Sequence, residues 1–93
     1  MTVKVWKGGG YGIRVGKSNA LRFFPKAWKT MDVMMGGHTH TFNLSQIFWT
    51  TCPEFRGKVI EQWLWLRGAI TWRHRKPPAF TLTLVRGQVF RLH

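Results

Sequence analysis

His38-Thr39-His40 sets two imidazoles two residues apart, a spacing that in an extended strand points both to one face. Cys52, His74 or Asp32 would be needed to complete a metal set, and the spacing matches no closed zinc module. The pair therefore reads as exposed histidines of a polar strand, and no metal is expected. Cys52, the single cysteine, stands before Pro53 at what reads as a helix start, where the helix dipole activates a thiol and His38 or His40 would serve as base. Its spacing to Arg56 is too short for a cysteine phosphatase loop, and a small buried hydrophobe describes it better. Glu54-Phe55-Arg56-Gly57-Lys58 brings an acid near a lysine, as metal-dependent nucleases do, but Asp32 would have to converge on it. In GGGYGIRVGKS the closing Gly16-Lys17-Ser18 echoes a phosphate-binding loop. Tyr11 stands where that motif needs its first glycine, so the segment reads as a hairpin turn with a lysine. No catalytic residue and no cofactor are assigned.

Charge says more. The 93 residues hold 15 Lys plus Arg against three acids, Asp32, Glu54 and Glu61, for a net charge of +12. Self-repulsion of that size disfavours a compact state unless a polyanion neutralises it, which puts nucleic acid first among partners. Paired-carboxylate and two-metal chemistry would consume nearly every acid in the chain. The cations fall in two blocks: residues 1–29 carry seven and residues 56–93 carry eight, whereas 30–55 carry none. Within the second block, Arg73-His74-Arg75-Lys76 lies between Trp72 and Pro77-Pro78, a basic loop suited to backbone phosphates and stiffened by its prolines.

The elements that must position these groups follow from periodicity. Val3 and Val5 alternate with Lys4 and Trp6; three glycines at 8–10 turn the chain; Tyr11, Ile13 and Val15 resume the apolar side against Arg14. Leu21-Arg22-Phe23-Phe24, stopped by Pro25, is predicted as a third strand of this meander with Leu21 and Phe23 inward. A strand within 28–35, a turn at Gly36-Gly37, a strand over 38–44 and a short helical turn at 45–50 fill the middle. Thr51-Cys52-Pro53-Glu54 matches a capping box, predicting an amphipathic helix from about 53 to 67. Phe55, Val59, Ile60, Trp63, Leu64 and Leu66 form its apolar half, and Gly68 stops it. Trp65 falls on the polar half, so another segment is expected to cover it. Phe80, Leu82 and Leu84 alternate before a turn at Arg86-Gly87, making a C-terminal hairpin.

The fold class is thus α+β: one small domain, an antiparallel sheet or partly open barrel with one amphipathic helix packed on it. With hydrophobic residues at 44%, the chain has enough apolar surface to fold. No secretory signal or membrane span is recognisable, so a soluble cytoplasmic protein is expected. The function expected is non-catalytic binding of nucleic acid, DNA ahead of RNA, mainly through the sugar-phosphate backbone. Lys4, Arg14, Lys17, Arg22, Lys26, Arg73, Arg75 and Lys76 are the candidate phosphate contacts, and Trp6 and Trp72 the candidate stacking or wedge residues. Phe24 would share the outer face with Trp6. The alternative is a protein-interaction module or inhibitor docking on an acidic partner, and a homodimer is compatible with so small a core.

Overall fold

The N-terminal alternation folds as its pattern requires. In the computed structural model, which describes residues 1–50, 53–73 and 76–93, β1 (Thr2–Lys7) buries Val3 and Val5 and turns Lys4 outward. It pairs antiparallel with β2 (Tyr11–Arg14), with Val5 opposite Ile13. The glycine turn between them has Gly9 at φ 66° and Gly10 at φ 150°, backbone that a side chain disfavours.

The predicted third strand is a helix instead. α1 (Lys17–Phe23) follows Gly16, whose φ is 88°. Ala20 and Phe24, four residues apart, face the core, while Leu21 is 72% exposed and Phe23 is also exposed. The helical spacing of 20 and 24 prevailed over the strand spacing of 21 and 23, and Pro25 ends the element. Phe24 therefore does not share an outer face with Trp6; its ring stacks on Phe90 at 5.0 Å.

The middle of the chain matches its reading. β3 (Thr30–Met35) and β4 (His38–Asn43) form a hairpin through Gly36 and Gly37, both at positive φ. α2 (Gln46–Thr50) follows, burying Phe48.

The predicted helix over 53–67 divides in two. Glu54, Phe55 and Arg56 are a strand, β5 (Glu54–Arg56), paired antiparallel with β2. The helix α3 (Lys58–Leu66) starts only after Gly57 and has no side-chain cap. The alternation polar, apolar, polar with Phe55 inward let these three residues extend the sheet, where backbone hydrogen bonds repay a longer ladder. Thr51 and Cys52, the first half of the expected capping box, lie outside the described residues. α3 buries Ile60, Trp63 and Leu64, but Leu66 is 85% exposed and Trp65 is 68% exposed, so among the described residues the cover expected over Trp65 is absent.

β6 (Ala79–Arg86) and β7 (Val89–Leu92) form the C-terminal hairpin. Leu84 keeps the inward phase opposite buried Phe90 but is 50% exposed, and a register shift follows between Leu84 and Arg86. The seven strands run in the order β4-β3-β7-β6-β1-β2-β5, all pairs antiparallel except β3 with β7. The two edges curl toward each other, Phe42 of β4 meeting Phe55 of β5 at 4.9 Å between rings, so the sheet is a nearly closed barrel. Strand directions place α1 and α2 at one end and α3 with the Gly8–Gly10 turn at the other. Phe24, Phe48 and Phe90 fill the first end; Trp63 and Phe80, 4.7 Å apart, fill the second.

Candidate functional site

The outer face of β1, β2 and β5 collects charge because register, not sequence proximity, aligns it. Lys4 lies opposite Arg14, and Arg14 opposite Glu54, in one row; Trp6 lies opposite Gly12, and Gly12 opposite Arg56, in the next. Side chains directly across antiparallel strands share a face. Gly12 makes this possible, since a Cβ there would meet Arg56 Cγ and the Phe55 carbonyl oxygen at 3.0 Å. The Arg56 side chain crosses this bare position and places its guanidinium 4.3 Å from the centre of the Trp6 ring; that of Arg14 lies 5.6 Å away. Both distances fall within cation–π range. Gly8 supports the indole from beneath, where a Cβ would come within 2.6 Å of it. Arg56 also donates to the Gly8 carbonyl at 3.1 Å, tying β5 to the glycine turn.

One carboxylate organises the group. Glu54 has only 8% of its side chain exposed and pairs with Arg14 at 3.5 Å through Oε2 and with Arg56 at 3.7 Å through Oε1. Oε2 is sealed from solvent and has no hydrogen-bond partner, so charge pairing with the half-exposed arginines is what compensates its burial. Two guanidinium groups against one carboxylate leave the face positive, and Lys4 adds to it.

The rim continues the positive surface. The Lys7 ammonium lies 5.4 Å from the Tyr11 ring centre, and Trp72 packs edge-on against the same ring at 6.3 Å. The Tyr11 hydroxyl donates to the Ile70 carbonyl, and the Val5 amide donates to the Pro78 carbonyl. These bonds anchor Ile70 beside β2 and Pro78 beside β1, close in sequence to the exposed Arg73 and Lys76. On the other flank Lys58 and Arg56 line a cleft of about 310 Å³ with Tyr11, Gly57 and Glu61.

Of the sequence-predicted residues, Lys4, Trp6 and Arg14 thus form the centre, with Trp72, Arg73 and Lys76 beside it. Lys17, Arg22 and Lys26 are exposed but belong to α1 and the residues after it, at the end of the barrel away from the glycine turn; Arg22 rests over Phe23. Arg75 and His74 lie outside the described residues. Trp6 and Trp72 are half-buried; the Trp6 ring is already engaged by guanidinium groups, and Trp72 packs edge-on against Tyr11. Arg56 and Glu54, the organising pair, were read as helix residues. The signal that would have found them is Gly57, which separates an alternating triplet from the helical pattern.

Comparison with family models, with curated proteins and with solved structures finds no match to this chain.

Proposed function

We propose that the protein binds nucleic acid without catalysis, gripping the sugar-phosphate backbone across the outer face of β1, β2 and β5. The observation that carries this reading is the Trp6 group: Lys4, Arg14 and Arg56 in adjacent register positions, oriented by one nearly buried Glu54. Guanidinium groups held in fixed positions recognise phosphate oxygens at a smaller entropic cost than free side chains do. Duplex DNA fits better than unstacked RNA, because recognition of splayed bases needs open aromatic faces and here arginine covers the indole. Glu54 is committed to two arginines, which leaves no paired carboxylates at this face for hydrolysis.

The test is a mobility-shift titration with duplex DNA across salt concentrations. Lys4, Lys7, Arg14, Arg56, Lys58, Arg73 and Lys76 would release about 0.9 counterion per phosphate contact, giving a log–log slope of about −5 to −7. A slope near zero contradicts the proposal.

A second reading, docking on an acidic protein surface, is favoured by the exposed pair Trp65 and Leu66 on α3, which phosphate binding does not use. Under it, Trp65→Ser abolishes capture of the protein partner and excess DNA fails to compete.

A further inference from the structure

The β3–β4 hairpin breaks the barrel's pattern at one place. Met31, Val33 and Met35 alternate into the core, and their cross-strand partners are Phe42, His40 and His38. Both imidazoles therefore occupy inward-phase positions, where the pattern calls for apolar residues. They stay accessible because β5 ends at Arg56 and α3 takes over the seam, leaving a cleft of about 130 Å³. Met35, His38 and His40 line it, facing Val59, Trp63 and Leu66. Neither imidazole has a hydrogen bond or ion pair among the described residues; the two ring centres lie 6.3 Å apart with their planes tilted by 50°.

We propose that Met35, His38 and His40 form a binding site for one Cu(I) ion at this open end of the seam. The hairpin geometry supplies the third donor that sequence spacing could not. The two-residue turn at Gly36 and Gly37 sets Met35 directly opposite His38, which brings their side chains to roughly 5 Å at Cβ on the shared face. A metal bound 2.0–2.1 Å from an imidazole nitrogen lies roughly 3.2 Å from that ring's centre. Rings 6.3 Å apart can therefore share one ion at a wide N–metal–N angle. That angle and a neutral thioether suit a soft d¹⁰ monovalent ion with low coordination number, and thioether ligation selects Cu(I) over harder cations. Zinc would need further His, Cys or carboxylate ligands, and no group of three such residues occurs among the described residues. The hairpin itself carries no Lys or Arg; the guanidinium of Arg67, which follows Leu66 of the cleft lining, lies over the Trp63 ring at 5.0 Å.

The experiment is an anaerobic titration of the full chain with Cu(I) under ascorbate, in competition with bicinchoninate. It is done in a Cys52→Ser background so that the one thiol does not take the metal. One Cu(I) per chain is expected, with ring-proton shifts at His38 and His40 and none at His93. His38→Ala, His40→Ala and Met35→Leu should each weaken Cu(I) by about tenfold or more, as the loss of one of three ligands would. Met35→Leu keeps core volume, and circular dichroism of each variant confirms the fold, so a loss of affinity reports ligation. No uptake against the chelator, equal affinity in Met35→Leu, or shifts confined to other histidines would overturn the proposal.

Discussion

Glu54 shows how much one residue can decide. Its carboxylate is nearly buried in a chain with few acids, and two arginines are held over Trp6 because of it. Burying a charge is tolerable only while it is paired, so deleting one partner should cost more than removing both. Arg14→Ala and Glu54→Gln are each expected to destabilise the fold. The double variant should show a coupling of about 0.5–3 kcal/mol between them, read from urea unfolding in a double-mutant cycle. Gly8 offers a second check at this scale. An alanine Cβ there would lie 2.6 Å from the Trp6 ring, so the indole must leave its place under Arg56. Gly8→Ala should cost about 1–3 kcal/mol by overpacking and shift the Trp6 indole proton resonance.

At the scale of elements, α1 is the sharpest departure from the pattern reading, and its exposure profile makes it testable. Phe24→Ala should cost about 3–5 kcal/mol, whereas Leu21→Ser should stay within about 0.5 kcal/mol; a strand with Leu21 inward would reverse that order. The same contrast applies on α3, between buried Leu64 and exposed Leu66. The hairpins were legible in the sequence because Val3, Val5 and Ile13, like Met31 and Val33, repeat at period two between glycine turns. α1 was not legible because a seven-residue helix with two core contacts gives almost no period to detect, and Leu21 and Phe23 imitate a strand. β5 was hidden by its neighbour: Phe55 fits the apolar stripe of α3 on a helical projection, and only its pairing with Ile13 places it in the sheet. The site was accordingly half legible. Lys4, Trp6 and Arg14 came from strand alternation, but Arg56 required knowing that β5 lies beside β2 across Gly12.

For the molecule as a whole, the radius of gyration is 12.4 Å, matching the roughly 12 Å that packed chains of this length adopt. The chain's fifteen cations belong to a small molecule with a single core cluster inside the barrel. Their repulsion should make the free protein more stable as salt rises toward physiological strength, measured by thermal unfolding, while DNA binding weakens over the same range. The measurement that bears most directly on the central claim compares salt dependence of duplex DNA binding for the wild-type chain and for Lys4→Ala, a substitution on the proposed face that leaves the Glu54 pairs intact. A steep wild-type slope that becomes shallower by about 0.9 in the variant, with equal weakening on unrelated sequences, is the expected result. A Lys4→Ala slope and affinity indistinguishable from wild type would contradict the placement of the phosphate-binding face on β1, β2 and β5.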